Sequence, residues 1–353
     1  MAITITGVGS CIPEKRVENS GFLEHEFMDK KGAPIDSPND VIVKKFEAIT
    51  GIRERRYAED DQVTSDMATI AAEKAIADAG VNPEELDYLI IGQNFGDITH
   101  GSHQTDQVPS IAARVKHNLR IKNPSCVAYD VVFGCPGWLE GMIQAQAFIK
   151  AGMAKKCLVI GAEALSRVVD CHDRDTMIFA DGAGATILEK TDGDNGVLAH
   201  VSASYTYSEA LYLSYDCSYH EEKAKDNIRY IKMAGRKIYN FSLTKVPQAM
   251  KDCLDKSGQP IEKLKKIFIH QANEKMDDAI CERFYKLYDM AVPEHIMPMS
   301  IHELGNSSVA TLPTLLDMVR RDEFQNHQIE KGDIVMFASV GAGMNINAMI
   351  YQV

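Results

Sequence analysis

The stretch Gly80–Gly92, GVNPEELDYLIIG, decides how the chain is read. It follows TSDMATIAAEKAIADA, Thr64–Ala79, an Ala-rich run with a Thr/Ser start and a glycine stop, which is the grammar of a helix. The apolar LDYLIIG then reads as a buried strand. The same order returns in the second part of the chain, where VPQAMKDCLDKS runs into GQPIEKLKKIFI, Gly258–Ile269. Gly80, Leu86, Leu89, Ile90 and Ile91 fall without a gap on Gly258, Leu264, Ile267, Phe268 and Ile269.

A second pair of segments agrees. FGCPGWLEGMIQAQAFIKAGMAKKCLVIGAEA and LGNSSVATLPTLLDMVRRDEFQNHQIEKGDIVMFASVGAG each run glycine turn, helix, basic residues, buried strand, glycine turn. The spacing predicts an internal duplication with halves 1–192 and 193–353. Chance likeness between generic helix–strand units is the alternative. KCLVIGA and DIVMFAS lack period-two alternation, as strands do when helices cover both faces of a sheet. The expected class is therefore α/β.

A chain of 353 residues, 45% hydrophobic and 25% charged, can bury a large core. No apolar run approaches the ~18 residues that a spanning helix needs, and the N-terminus lacks signal-peptide character; a cytoplasmic protein is expected, without membrane association. The eight cysteines form no CxxC pair, so free thiols are expected rather than zinc ligands or disulfides. A net charge of −12 argues against nonspecific nucleic-acid binding.

Three residues stand where chemistry is plausible. Cys135, in DVVFGCPGWLEG, follows a strand-like run and precedes a helix onset at Pro136, where the helix dipole favours thiolate, the nucleophilic form. A buried packing cysteine is the competing reading. His270 ends KIFIH at a strand-to-helix junction. Asn306 occupies a glycine-preceded turn in HELGNSSVATLP, where an N-cap is its plainer role. Duplicated halves would bring these strand ends into one crevice, and Cys with His and Asn suits acyl transfer through a thioester. A hydrolase built on the same three groups stays open. ASVGAGMN has neither GxGxxG spacing nor a Lys-Ser/Thr pair, so it reads as a turn aiming N–H groups at an oxyanion; DGAGATIL, Asp181–Leu188, is expected to be a strand-bounding turn.

Together, GCPG at Cys135, HQAN at His270–Asn273 and GNSSVATLP at Gly305–Pro313 resemble the 3-oxoacyl-acyl-carrier-protein synthase III family of the thiolase-like superfamily. TGIRER at Thr50–Arg55, FADGAGA at Phe179–Ala185 and MAGRKIYNF at Met233–Phe241 extend the resemblance over almost the whole chain.

The resemblance implies a five-layered αβαβα fold, normally a homodimer, with Cys135, His270 and Asn306 as catalytic residues. Cys135 would take an acyl group from acyl-coenzyme A, and malonyl-acyl carrier protein would lose CO2. His270 and Asn306 would stabilise the enolate that attacks the Cys135 thioester. The oxyanion hole would use the backbone at Cys135 and Ala342. No cofactor or metal is implied, coenzyme A thioester being a substrate. Arg174, Met233 and Gly235 would face coenzyme A, Val108 would face the acyl chain, and Lys275 and Lys237 would meet the carrier protein. Lys232, Arg236 and Lys245 would extend that basic surface. The chain departs from the family where NDVIVKKFEAI lacks its tryptophan, where Arg236 replaces an asparagine, and at Val108 and VGAGM, whose smaller side chains predict room for a primer longer than acetyl. A related synthase of a specialised lipid or polyketide, and a non-catalytic carrier-binding subunit, are the alternatives.

Overall fold

The computed structural model describes residues 2–193 and 195–353. Gly80 and Gly258 both close helices, Thr64–Ala79 and Gly235–Ser257, in the left-handed conformation (φ 63° and 70°), which costs a glycine little. Each is followed by a short 3-10 turn, Pro83–Glu85 or Ile261–Lys263, and then by a buried strand. The helix–turn–strand grammar is thus realised twice.

In chain order the strands are β1 (Ala2–Cys11), β2 (Lys15–Glu18), β3 (Glu54–Tyr57), β4 (Tyr88–Gly92), β5 (Val127–Val131), β6 (Lys156–Ala164) and β7 (Asp181–Thr191). There follow β8 (Gly196–Ser204), β9 (Leu213–Asp216), β10 (Tyr230–Met233), β11 (Leu264–Ile269), β12 (Ile334–Gly341) and β13 (Asn345–Gln352). Two small antiparallel ribbons, β2 with β3 and β9 with β10, stand apart from a mixed sheet ordered β11-β12-β13-β8-β1-β7-β6-β4-β5.

The seam of that sheet lies between β1 and β8, which register at Ile3 and Gly196 only. On one side the order is β5-β4-β6-β7-β1; on the other, β11-β12-β13-β8. Position for position, β4, β6, β7 and β1 correspond to β11, β12, β13 and β8. Parallel pairing joins β4 to β6 and β11 to β12, and antiparallel pairing joins β6 to β7 and β12 to β13. Among the described residues β5 has no strand counterpart; there Ile267 N–H donates to Ile296 O in an irregular segment.

Helices cover this sheet in three layers. Thr64–Ala79 and Ile111–Asn118 pack on the outer face of the first set of strands, while Gly235–Ser257 and Glu274–Lys286 pack on the outer face of the second. Gly137–Lys150 and Thr311–Arg320 lie between the two sets, in a core that holds Trp138, Met142 and Leu315 with Ile90 and Val159 from one side and Phe268, Val335 and Phe337 from the other. Phe337 stacks on Phe268 (5.0 Å) and meets Trp138 edge-on (5.7 Å), a geometry that aromatic quadrupoles favour. The layers are α, β, α, β, α.

β12 is buried at every position and β6 at all but the first, as the absence of alternation predicts. DGAGATIL departs from expectation. Instead of a turn it is the body of β7, whose small residues admit a helix: a side chain at Gly184 would strike Pro313 and the Thr314 backbone. Among the described residues, no helix is long and apolar enough to cross a membrane.

Candidate active site

The site forms where the central helices start and the strands of both sets end. β5 leads into Gly134 (φ 67°), and the helix Gly137–Lys150 begins immediately after Pro136. A Cβ on Gly134 would press on the Ala342 backbone, and one on Gly341 would press on the Cys135 backbone nitrogen and Pro136. Glycine at these two places therefore brings the backbones of Cys135 and Ala342 together. Asn345 ties them, its Nδ2 donating to Ala342 O (2.9 Å) and Phe133 O (3.3 Å).

His270 follows β11 directly, its N–H donating to Ala338 O of β12 (2.9 Å). It is buried, its Nδ1 has no hydrogen-bond partner among the described residues, and burial pushes the imidazole down to about 4. At neutral pH it is uncharged: one ring nitrogen donates and the other accepts.

Asn306 is held as an extended bridge to Phe179, with Asn306 N–H donating to Ile178 O and Ala180 N–H to Asn306 O, both 2.8 Å. It does not cap a helix. Its Oδ1 accepts the Ser308 N–H (2.8 Å), which leaves the Nδ2 hydrogens for a ligand. Behind this turn lies Arg55 of TGIRER, fully buried, donating to Met177 O (3.0 Å), Val17 O (2.9 Å) and Asn19 Oδ1 (2.7 Å).

Ser308 joins Asn306 to the cysteine, its hydroxyl donating to Cys135 Sγ at 3.4 Å. Burial pushes the Cys135 thiol up to about 11, with the Ser308 hydrogen bond opposing and the Glu163 carboxylate reinforcing. Burial thus opposes the helix terminus, which favours thiolate. Attack on an acyl carbonyl then needs a base that takes the proton as the bond forms, and the neutral His270 is chemically suited to that.

A cavity of about 600 Å³ opens at the segments next to Asn306 and His270. Its inner wall includes Ile178, Ala272 and Asn273, chain neighbours of the Asn306 and His270 segments. Arg174, Met233 and Gly235 line it, and Lys30, Lys45 and Arg236 add positive charge. The helix Asn39–Thr50, which carries no tryptophan, supplies Val41, Lys45, Phe46 and Ile49 to the wall.

Arg236, at the cavity, and Lys275 and Lys237, next in the chain to cavity-lining segments, are exposed, and Lys245 is half-buried over the Tyr205 ring. Two expected residues lie elsewhere. Lys232 does not extend a basic surface: it is buried, ion-paired with Asp170 (2.5 Å) and Asp173 (3.2 Å), and capped by the Tyr219 ring at 3.5 Å. Val108 does not line the cavity of its own chain. It stands 87% exposed on the loop between β4 and the helix Ile111–Asn118, which carries it to the surface.

Sequence reading passed over Ser308, Asn345, Asn94 and Glu163. Ser308 closes GNSS and Asn345 closes ASVGAGMN, motifs that it did single out, and membership of those was the available signal.

Fold and site define a thiolase-like condensing enzyme with a cysteine at the head of its central helix. Residues 129–206 match 3-Oxoacyl-[acyl-carrier-protein (ACP)] synthase III and residues 254–353 match 3-Oxoacyl-[acyl-carrier-protein (ACP)] synthase III C terminal. The β-ketoacyl-[acyl-carrier-protein] synthase III of Erythrobacter litoralis is 31% identical, over 99% of this chain and 98% of its own. That of Caldanaerobacter subterraneus is also 31% identical, over 98% and 96%. The crystal structure of the Aquifex aeolicus 3-oxoacyl-[acyl-carrier-protein] synthase III superposes with a TM-score of 0.82 at 28% identity, covering both chains fully. The chain belongs to the 3-oxoacyl-acyl-carrier-protein synthase III family and is an acyltransferase of the condensing type.

Proposed function

We propose that this enzyme condenses an acyl-coenzyme A primer with malonyl-acyl carrier protein, with loss of CO2, to initiate fatty-acid synthesis. The observation that carries the reading is the meeting of the Cys135 turn with the Asn306 turn through Ser308. Cys135 attacks the primer thioester, His270 takes the thiol proton and passes it to the departing coenzyme A sulfur, and coenzyme A leaves as the thiol. The acyl oxygen is received by the backbone N–H groups of Cys135 and Ala342. Malonyl carrier protein then loses CO2, and the enolate oxygen accepts hydrogen bonds from His270 and from Asn306 Nδ2. Its carbon attacks the acyl-Cys135 carbonyl, releasing the 3-oxoacyl carrier protein and free Cys135.

Lys30, Lys45, Arg174 and Arg236 at the cavity suit the phosphates of coenzyme A, with Met233 and Gly235 along its arm. Lys275 and Lys237 suit an acidic carrier protein that delivers its arm through the same opening. No resident cofactor takes part. We further propose a cytoplasmic homodimer; β5 ends the sheet as an unpaired edge, with Val127 and Val132 exposed.

Intact-mass measurement after incubation with an acyl-coenzyme A series from acetyl to medium and branched chains tests the loading step. An acyl adduct on Cys135 is expected from at least one donor, and its absence from all of them sinks the mechanism. His270→Ala, which removes both the base and the enolate donor, is expected to slow CO2 release from malonyl carrier protein as well as acyl loading. Unimpaired CO2 release would remove the enolate role.

A further inference from the structure

Behind the Cys135 turn lies a buried carboxyl that the condensation does not use. Glu163, near the end of β6, is 0% exposed. Its Oε2 accepts from Asn94 Nδ2 at 2.6 Å and its Oε1 accepts from Asn94 N–H at 3.3 Å. Asn94 Oδ1 in turn accepts the Gly134 N–H at 3.0 Å. The Glu163 carboxyl accepts from Asn94 at both oxygens, from its Nδ2 and its backbone N–H, and so fixes which way the Asn94 amide points.

The Gly134 N–H and the Phe133 carbonyl belong to one peptide unit. Asn94 takes its N–H, and Asn345 Nδ2 donates to its carbonyl at 3.3 Å. Asn345 is oriented in its turn by the Ser204 hydroxyl, which donates to its Oδ1 at 2.6 Å. One planar group, one residue before the nucleophile, is therefore held at both ends by asparagines whose amides are each set by a second side chain. Such double fixing is unneeded for packing, because Gly134 carries no side chain, but it sets the direction of the next N–H, that of Cys135.

We propose that Glu163 is a positioning residue: through Asn94 it fixes the Phe133–Gly134 peptide plane and thereby aims the Cys135 N–H at the acyl carbonyl oxygen. This rests on the reading of Cys135 as acyl acceptor. Burial pushes Glu163 up to about 8, with the Asn94 and Phe95 N–H groups opposing and Asp181 reinforcing; Cys135 and Tyr215 are the other titratable groups within its influence.

Reversing one hydrogen bond tests the proposal in the full-length protein. Glu163→Gln sets amide hydrogens against amide hydrogens, and Asn94→Asp sets oxygen against oxygen. In the double variant the glutamine amide donates to the aspartate, whose other oxygen still accepts the Gly134 N–H. At saturating acyl-coenzyme A, each single variant is expected to load Cys135 roughly 10- to 100-fold more slowly, with KM changed less than about 3-fold, because a misaimed donor weakens the transition state rather than binding. The double variant is expected to return to within about 5-fold of the parent. Amide exchange of the peptide spanning Gly134 and Cys135 gives a readout without turnover: about 10-fold faster in each single variant, and restored in the double.

Single variants that load and exchange like the parent, or a double variant whose loss equals the product of the single losses, would overturn the proposal. If the parent takes no acyl group, the acyl-acceptor reading has failed, and amide exchange alone decides the clamp.

Discussion

At the scale of the residue, Cys135 sits under opposing influences. Its place at the head of a central helix favours thiolate, while burial pushes the thiol up to about 11. The thiolate fraction at pH 7 is then on the order of one in ten thousand, and it rises about tenfold with each pH unit. Iodoacetamide alkylation of Cys135 in the unliganded enzyme is accordingly expected to accelerate about tenfold per unit from pH 7 to 10. A plateau beginning below pH 8 would show that the helix terminus wins after all. Sequence was enough to single out Cys135, His270 and Asn306, because each lies at a junction of apolar run and glycine turn. Asn94, Ser308 and Asn345 were not legible. Serine and asparagine in turns serve many local roles, and only the folded backbone shows which peptide group each one meets.

At the scale of the element, the helix–turn–strand units on either side of Gly80 and Gly258 were readable because apolar runs and glycine stops are local signals. β7 was not, since its small residues answer to the close approach of the helix Thr311–Arg320 and not to a turn. The helix Glu274–Lys286 holds a second such case. Asp277 is fully buried on its core-facing side with no partner for either oxygen, near Asp278 and Glu274, and burial pushes its carboxyl well above the ordinary value. A carboxyl raised on folding stabilises the protein fully below its unfolded value near 4, and that contribution is lost as pH rises toward its folded value. Asp277→Leu, which matches the apolar neighbours Ile280 and Phe284, is expected to stabilise the protein by about 1–3 kcal/mol at pH 7.5 and by less at pH 4. Urea denaturation at the two values measures this; an equal gain at both would place the effect in packing alone.

At the scale of the whole molecule, the two strand sets meet at one registered pair, so the buried helices between them carry most of the connection. Trp138 spans that layer: its ring meets Phe337 of β12, and its Nε1–H donates to Thr186 Oγ1 of β7 at 3.3 Å. Trp138→Ala is expected to lower stability by about 3–5 kcal/mol in urea. A loss below about 1 kcal/mol would mean that this layer does not couple the two sets. The layered arrangement itself was expected from the repeated grammar and the family resemblance together. Lys232 and Val108 fell outside it because burial in an ion-paired cluster, and a loop carried to the surface, depend on contacts between distant segments.

The central claim is that the acyl group on Cys135 passes to a carbon nucleophile and not to water. Enzyme preloaded with an acyl group on Cys135, freed of excess coenzyme A thioester and mixed with malonyl-acyl carrier protein, measures this in a single turnover. The loss of the acyl adduct is predicted to match, mole for mole, the appearance of 3-oxoacyl carrier protein and CO2. Release of the acyl group as free acid, with no 3-oxoacyl product, would contradict the account and make the same three side chains a hydrolase.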